Sequence, residues 1–436
     1  MRSVSHGIDR IAVTFDEPGL VANAGLVLVA TLVKRLGLEE LVDTMVRIPS
    51  KLGGFSPGRK VLTLVHAMVA GATHIDHADV LRAGATEGVL SHRVMAPSTL
   101  GTFLRAFTFG HVRQLEAVVG EALRRAWSAM TLPARLVVDV DSTICEVTGK
   151  KKAGAAYGYT KVLGLHPLLA TRADTGEVLH ARLRKGSANT QRGAKRFIEE
   201  LVARLRRAGA TGTLVMRFDS GFWSKDLLST LERLKVSYTM AVRAGTKAIA
   251  QVIATIADEE WVAIDYPEGG EAAVAETTYK ARRLVVRRTR LVGPQATLWP
   301  DWRHFAFLTD LTASAVEVDA LHRERAQAEL DIRDLKEGAG MEHCPSGSFS
   351  ANAAWLQCAV LAHNLLRWTQ LLGGLHDRDG HRPAVARTIR TRFVSLPGRL
   401  VNRSGTPTLR APSHWPWQEP FTRALSNLRA LAVAVT

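Results

Sequence analysis

The sequence has few cysteines and no long apolar run. Its three cysteines, Cys145, Cys344 and Cys358, form no Cys-x-x-Cys pair, which argues against a disulfide framework and against a cysteine-rich zinc module. Residues 1–20 lack the apolar centre of a secretory signal, and no apolar run approaches the roughly 20 residues that a membrane-spanning helix needs. We therefore expect a cytoplasmic protein with no membrane partner.

Acidic residues are scarce relative to basic ones. The chain of 436 residues carries 41 Asp and Glu against 57 Lys and Arg, which gives a formal net charge of +16 and a pI near 10.2. Such an excess of positive charge indicates a polyanionic partner, most often nucleic acid. A ribosomal, membrane-surface or simply basic protein would share this property, so the charge alone does not decide the function.

Apolar residues make up 46% of the chain, enough for a folded core, and their spacing divides the sequence. Helical spacing dominates residues 1–130, whereas strand and helix patterns alternate in residues 131–374, with a β-rich interruption at 245–303. The tail, 375–436, holds ten Arg, no Lys and three acids, and we expect an irregular basic arm there. These patterns predict an α/β fold: a mixed sheet flanked by helices, with a β-rich insertion, preceded by a helical domain that is a candidate for DNA binding.

Short apolar runs locate the elements of the predicted sheet. Strands are expected at 135–143, 166–174, 178–186, 213–220 and 237–244, with helices at 191–209 and 224–235. The first three strands would form a meander, and the later ones would follow through β-α-β connections.

Acidic residues stand at the ends of two of these strands. Asp139 and Asp141 share one face of the first strand, because side chains alternate along a strand. Asp219 ends a strongly apolar strand just before a Ser-Gly turn. A single Asp there is most often a turn or capping residue, but ligands of mixed sheets also gather at strand ends. Asp219 and either Asp141 or Asp139 are therefore candidate site residues.

A third acid lies in a basic stripe of the predicted helix HRERAQAELDIRDLKEG, residues 322–338. On a helix that turns about 100° per residue, four basic side chains fall within about 40° of Glu329: His322, Arg325, Arg333 and Lys336. The simpler interpretation is an amphipathic helix with i,i+4 ion pairs. The alternative is that Glu329 joins the strand-end acids in one site.

Three gathered carboxylates would repel one another at neutral pH, and a hard divalent cation such as Mg²⁺ resolves that repulsion. Two such ions can activate a nucleophile and stabilise a leaving oxygen in phosphoryl transfer. The basic residues around Glu329 would then contact the phosphates of DNA. This would explain why one acid stands among so many bases.

The chain resembles the DDE transposases of bacterial insertion sequences. One group of these enzymes carries the signature Tyr-x2-Arg-x3-Glu-x6-Lys around its third acid, and this chain has His322-x2-Arg325-x3-Glu329-x6-Lys336. The family's first acid lies in an Asp-x-Thr motif on its first strand, which Asp141 and Thr143 match, and its second acid ends the fourth strand, as Asp219 does. The group also carries a β-rich insertion between its second and third acids. The similarity covers about residues 135–374.

The resemblance implies an RNase H-like catalytic domain and a transposase reaction. Asp141, Asp219 and Glu329 would be the catalytic acids that hold two Mg²⁺ or Mn²⁺ ions, with Asp139 behind them as a supporting group. Arg325 and Lys336 would contact DNA phosphates, and His322 stands where the signature has Tyr. The expected partners are double-stranded DNA, as the element's terminal inverted repeats and as target, and a second copy of the chain when bound to DNA. The expected location is the bacterial cytoplasm, on the nucleoid.

Other residues are weaker candidates for DNA contact. A solvated loop or DNA binding would equally explain the basic cluster of Lys150, Lys151 and Lys152. Trp299 and Trp302 could stack on an unpaired base, although a Trp near Pro more often anchors a loop. Two other functions stay open: an RNase H-like metal-dependent nuclease that cuts without joining, and a catalytically inactive DNA-binding protein.

Overall fold

The structure is a computed structural model that describes residues 8–49, 56–149, 151–158, 161–267, 269–292, 302–375 and 382–434. Before the sheet, the chain forms six α-helices in its described part: α1 (Leu26–Arg35), α2 (Leu38–Met45), α3 (Pro57–Val69), α4 (Thr86–Leu90), α5 (Pro97–Arg105) and α6 (Phe109–Trp127). These helices lie within the region whose apolar spacing is helical. Proline occupies the first position of α3 and of α5, where its missing N–H leaves no hydrogen bond unmade.

Helices and strands then alternate. The later helices are α7 (Ala194–Arg207), α8 (Lys225–Arg233), α9 (Lys247–Ile253), α10 (Ala315–Arg323), α11 (Gln327–Arg333), α12 (Phe349–Gly373), α13 (Ala386–Ile389) and α14 (Gln418–Ala430). The strands are β1 (Leu20–Val21), β2 (Arg135–Ser142), β3 (Cys145–Glu146), β4 (Ala156–Tyr157), β5 (Leu163–Leu165), β6 (Leu168–Arg172), β7 (Val178–Arg182), β8 (Thr213–Phe218), β9 (Ser237–Val242), β10 (Val262–Ile264), β11 (Gly270–Tyr279), β12 (Arg282–Leu291), β13 (Arg303–Thr309), β14 (Gly398–Arg403) and β15 (Thr406–Arg410).

Nine of the described strands form one mixed sheet in the order β10-β11-β12-β13-β9-β8-β2-β6-β7. Strands β2, β8 and β9 are parallel to one another, and the other neighbouring pairs are antiparallel. The predicted meander is β2, β6 and β7, and the β-α-β connections run from β7 through α7 to β8 and through α8 to β9. The α/β class and the mixed sheet are therefore confirmed.

The β-rich stretch predicted at 245–303 extends this sheet. Strands β10, β11 and β12 continue it beyond β13, which itself pairs with β9. Part of the stretch is helical, since α9 precedes β10. The insertion thus lengthens the sheet on the β9 side, with β13 and β9 between its strands and β8.

Helix α12 lies at the centre of the hydrophobic core. It has 25 residues and is buried nearly all round, as expected for a helix that is apolar on every face. Helices α1, α3, α5, α6 and α14 and strand β7 pack against it. The Asn364 amide also bonds to the N–H and the C=O of Val178 on β7, both at 2.8 Å. The N-terminal helices and the sheet therefore share one continuous core.

The prediction of an irregular C-terminal arm is wrong for the described residues. Helix α14 packs against α1 and α12, and the hairpin β14–β15 pairs with β1. Arg390 joins two distant segments, since it donates to the carbonyl oxygens of Met68 and Val69 at the end of α3 and to that of Gly338. Arginines of the tail are thus part of the folded body.

The predicted helix 322–338 is helical throughout but not uniform. A 3-10 turn, Glu324–Ala326, separates α10 from α11, and a π-helical turn, Asp334–Gly338, follows α11. Asp331 and Asp334 point into the protein and pair with Arg367, while Arg382 also binds Asp331. These ion pairs fix α11 against α12 and orient the opposite face of α11, which carries the exposed Glu329.

Candidate active site

Asp141 and Asp219 lie side by side at one edge of the sheet. Strands β2 and β8 are parallel neighbours, and Val140 lies opposite Phe218. Asp141 comes directly after Val140 and Asp219 directly after Phe218, so the two acids are also neighbours. Asp219 also accepts a hydrogen bond from the N–H of Gly221 at 3.0 Å, which holds its side chain at the start of the 3-10 turn Ser220–Phe222. The structure therefore brings the two candidate acids together.

Glu329 influences this pair from the exposed face of α11. The pKa of the Asp141 carboxyl is raised to about 6, first by burial; the carboxylates of Asp219 and Glu329 add to the rise, and Arg325 and the Ser142 N–H oppose it. The charges of Asp219 and Glu329 thus both reach Asp141, which relates the three acids electrostatically. Their oxygens are nevertheless more than 4.8 Å apart in at least one pair, since the described residues hold no such closer group at this edge.

Arg325 lies within this group rather than beside it. Its Nη2 donates to Oδ2 of Asp141 at 2.8 Å, while Oδ1 of Asp141 accepts from the Ser142 N–H at 2.7 Å. Both oxygens of Asp141 are thus engaged by the protein. A cation that binds Oδ2 has to compete with this guanidinium.

Asp139 has a different environment although it shares a face of β2 with Asp141. It forms a two-point ion pair with Arg217 on β8, at 2.6 and 2.7 Å, and both side chains are only 1% exposed. Arg217 also donates to the carbonyl oxygen of Leu321 at 2.6 Å. Asp139 holds Arg217, and Arg217 connects the sheet to α10, the helix that precedes the Glu329 segment. Sequence reasoning missed Arg217, although the Arg-Phe-Asp spacing puts it on the same face of β8 as Asp219.

His322 lies inside the protein. Its ring stacks on Phe307 at a centroid distance of 4.3 Å, and its Nδ1 is 2.8 Å from Oγ1 of Thr239. Burial, together with the neighbouring Arg325, lowers the pKa of His322 to about 3, so the ring is neutral at physiological pH. A neutral ring held by the sheet is poorly suited to a phosphate, and we do not retain His322 among the proposed DNA contacts.

The other basic candidates are distributed around this edge. Arg333 is exposed on α11, and Lys336 lies 3.8 Å from Glu342. Lys336 and Lys152 line the same cavity of about 340 Å³, and Lys152 donates to the Cys344 carbonyl oxygen. Lys151 is exposed.

The aromatic candidate that the structure describes lies on the extended part of the sheet. The guanidinium groups of Arg288 and Arg290 lie over the Trp302 ring, at 4.6 and 4.5 Å from its centroid. A base that stacks on Trp302 would have to compete with these two groups. Lys150 and Trp299 lie outside the described residues.

A second group of potential metal ligands lies elsewhere. Side-chain atoms of Glu116, His180 and Glu200 come within 4.8 Å of one another, on α6, β7 and α7. Arg182 donates to Glu116 at 2.9 Å, and both Arg182 and Arg113 donate to Glu200. A cation would have to displace two guanidinium groups, so these residues fit a buried charge network better than a metal site.

Comparison with known protein families identifies the family of the chain. The sequence model of the family described as "Transposase DDE domain group 1" matches residues 5–433, almost the whole chain. The chain belongs to this family. It is a DDE transposase, an enzyme of DNA transposition and recombination.

Two further comparisons accompany this assignment. The transposase chain is similar to a solved structure of the piggyBac transposase synaptic complex with hairpin DNA, with 11% sequence identity and a TM-score of 0.46, covering 86% of this chain and 80% of the other. A search of curated proteins finds no match. In the described part of the transposase, no helix has both the length and the apolar character needed to cross a membrane.

Proposed function

We propose that this transposase mobilises a bacterial insertion sequence, and that Asp141, Asp219 and Glu329 are its catalytic acids. The observation that supports the proposal is the adjacency of Asp141 and Asp219 at the ends of β2 and β8, together with the electrostatic effect of Glu329 on Asp141. We also propose that β2, β6, β7, β8 and β9 form an RNase H-like sheet. Its support is that Asp141 lies on the first of these strands and Asp219 follows the fourth, in chain order.

The three acids fit a site for divalent cations. They offer only carboxylate oxygens, which Mg²⁺ and Mn²⁺ prefer; the pKa of Asp141 is raised first by burial and further by the carboxylates of Asp219 and Glu329, and a cation would favour its ionised form. Two ions, when bound by Asp141, Asp219 and Glu329, would supply an activated nucleophile and charge stabilisation of the leaving oxygen. Arg325 then has to release Oδ2 of Asp141, which leaves its guanidinium free for a DNA phosphate.

The reaction consists of two phosphoryl transfers. Water attacks a phosphodiester at the end of the element, the bond from phosphorus to the 3′-oxygen breaks, and a 3′-hydroxyl is released. That hydroxyl then attacks a phosphodiester of target DNA, joining the element to it and releasing a new 3′-hydroxyl. The protein's part is to hold both phosphates in line through basic side chains, and the three acids would hold the cations that supply charge stabilisation there.

Basic residues around the acids would bind the DNA backbone. The helical segment that carries Glu329 also carries Arg325, Arg333 and Lys336. Lys151 and Lys152 lie on the loop after β3, and Lys152 and Lys336 line the same cavity. From the sequence, Lys150 is a further candidate for contact with the DNA backbone and Trp299 for stacking on a base. Trp302 could stack on an unpaired base if one of its two arginine neighbours moves away.

The partners proposed are the element's terminal inverted repeats, target DNA and a second copy of the transposase on the DNA. The helices of residues 1–130 are a candidate surface for recognising the element's ends, and their common core with the sheet would couple end recognition to the active site. An RNase H-like nuclease that cuts without joining is the second candidate. Terminal inverted repeats beside the gene would favour the transposase of an insertion sequence.

A cleavage assay tests the proposal. DNA that carries the gene's own flanking sequence is incubated with Mg²⁺ or Mn²⁺ and either the wild type, Glu329→Gln, or the control Glu259→Gln, which removes an exposed acid far along the chain from the site. Nicks at defined element ends that are lost only in Glu329→Gln would support the mechanism. Cutting without preferred positions would favour the nuclease, and binding without cutting by any protein would favour an inactive DNA-binding protein.

A further inference from the structure

A strongly basic cavity lies beside the candidate active site. It has a volume of about 390 Å³ and is formed by β6, β7 and the loop that leads into α7. Its lining contains no acidic residue but five basic ones: Arg182, Arg184, Lys185, Arg192 and Arg196. A concave surface of one charge sign attracts ligands of the opposite sign.

Arg184 is the buried centre of this cavity. Its side chain is only 8% exposed, its Nε donates to the His166 carbonyl oxygen at 3.0 Å, and its Nη1 donates to three carbonyl oxygens of the loop 189–192. Its Nη2 has no hydrogen-bond partner in the described part of the chain, and no carboxylate there pairs with it. Burial lowers the pKa of Arg184 to about 10. A buried guanidinium with a spare donor and no counter-charge is an incomplete arrangement unless an anion completes it.

The N-terminus of α7 faces the same cavity. Gly193 is its capping residue, with φ of +77°, and no side chain caps the helix or places an acid in its first turn. No atom lies within 4 Å of the position that a Cβ on Gly193 would take, so the space beside the helix end is open. The free N–H groups and the positive end of the helix dipole favour an anion there.

The remaining bases differ in their availability. Arg182 and Arg196 both pair with Glu200, so their charge is already compensated. Lys185 and Arg192 are exposed at the mouth and form no ion pair with any described residue. These two side chains can therefore close on a ligand that enters from solvent.

The position of the cavity relates it to the acids. Ser142, the residue after Asp141, is opposite Leu168 on β6, and Leu168 is opposite Arg182 on β7. Residues directly opposite one another in a sheet share a face, so Leu168 and Arg182 lie on the face of Ser142, whereas Asp141 lies on the other face. The cavity and the acids are therefore at the same end of the strands but on opposite faces of the sheet.

From these observations we infer that the cavity binds a phosphate group of the DNA backbone other than the one at the bond that is cut. Arg184 and the N-terminus of α7 form the floor of this phosphate site, and Lys185 and Arg192 close over it. The site fixes the path of the DNA strand past the acids. This inference rests on the proposed function, since it assumes that DNA lies across that edge of the sheet.

Binding measurements with single-charge variants test the site. Arg192→Ala and Lys185→Ala each remove one base from the mouth, whereas the control Lys195→Ala removes an exposed base from the first turn of α7 outside the cavity. Binding to the element's end is measured by fluorescence anisotropy with EDTA over a range of salt concentrations. Each mouth variant should bind about tenfold more weakly at 0.1 M salt and reduce the salt slope by about 0.9, which is the effect of one lost phosphate contact. Lys195→Ala should do neither.

A scan with uncharged methylphosphonate linkages identifies the phosphate. Wild type and Lys195→Ala should lose affinity when one particular linkage away from the cut is neutralised, and Arg192→Ala should be insensitive at that position. Identical scans for all three proteins would overturn the inference. Inorganic phosphate alone provides a second arm: if it raises the melting temperature of wild type but not of Arg192→Ala while the scans are identical, the cavity binds free phosphate and the DNA assignment is overturned.

The cleavage assay separates this inference from the proposed function. If wild type cuts at element ends and Glu329→Gln does not, but the scans are identical, only the phosphate site is refuted. If wild type neither binds nor cuts DNA that carries the element's ends, both are refuted.

Discussion

Replacing Asp139 and Asp141 in turn should change stability in opposite directions. The two acids are two residues apart on one face of β2, but Asp139 is neutralised by Arg217, whereas Asp141 faces Asp219 and Glu329. Burial raises the pKa of Asp139 despite Arg217, but Asp139→Asn leaves the Arg217 guanidinium buried without a counter-charge. Removing one partner of a buried pair costs about 3–5 kcal/mol. We therefore expect Asp139→Asn to lower the free energy of unfolding by that amount.

Asp141→Asn should instead stabilise the protein when no metal is present. The pKa of Asp141 rises from 3.8 to about 6 on folding, which corresponds to about 3 kcal/mol against the ionised form. Between these two pH values the folded protein keeps a proton that the unfolded chain releases, so the stability of wild type falls as pH rises through this window. The Asp141→Asn variant does not lose stability in this way. Its free energy of unfolding should rise above that of wild type between about pH 4 and pH 6, and the difference of up to about 3 kcal/mol should persist at neutral pH.

Urea denaturation in EDTA, followed by tryptophan fluorescence, measures both effects, and the cleavage assay is run on the same proteins. Asp141→Asn should be folded and inactive. Asp139→Asn should be destabilised, and what remains folded should still bind the metal ions. If Asp139→Asn were as stable as wild type but inactive, while Asp141→Asn still cut DNA, the assignment of the first catalytic acid to Asp141 would be refuted.

Three other predictions follow from side chains outside the acids. When the pH falls from about 7.5 to 5.5, the free energy of unfolding of wild type should drop by about 1.4 kcal/mol more than that of His322→Phe. The reason is that His322 takes up a proton in the unfolded chain but not in the folded protein, where its pKa is about 3; urea denaturation at both pH values measures the difference. Arg390→Ala should lower the free energy of unfolding by about 3 kcal/mol or more, since three backbone carbonyls lose their donor, whereas the exposed Arg387→Ala should change it by less than about 0.5 kcal/mol; equal effects in thermal unfolding would contradict this. Trp302→Ala should weaken binding of DNA with an unpaired base by about 1–3 kcal/mol and leave intact duplex unaffected; equal losses for both DNAs would exclude stacking.

The central elements were predictable because their patterns are local. The run RLVVDVDST predicted a strand at 135–143, and the structure has β2 at Arg135–Ser142. The apolar spacing of 191–209 likewise predicted α7, observed at Ala194–Arg207. The adjacency of Asp141 and Asp219 followed from these strands, because the ends of parallel strands meet at one edge of a sheet. Alternation and helical period are therefore sufficient to place two of the three acids.

Features that depend on distant packing were not predictable in the same way. Nothing in the composition of 375–436 indicates that α14 packs between α1 and α12, or that Arg390 bonds to the end of α3. The pairing of Asp139 with Arg217 depends on the register between β2 and β8, which the sequence does not state. The partner of a buried charge becomes visible only when the register is known.

The helical segment around Glu329 shows how a small local deviation changes the interpretation of a site. A uniform α-helix turns about 100° per residue, which would place His322 and Arg325 in one stripe with Glu329. The 3-10 turn Glu324–Ala326 instead turns about 120° per residue, so the faces of α10 and α11 are offset by about 20° for each of its residues. His322 is thereby turned onto Phe307, and Arg325 reaches Asp141, while Glu329 stays exposed at the same edge. The four basic residues of the stripe therefore have different roles. His322 is a neutral ring packed on the sheet, and Arg325 forms an ion pair with a candidate metal ligand. Arg333 and Lys336 are the two bases that we expect to contact phosphate.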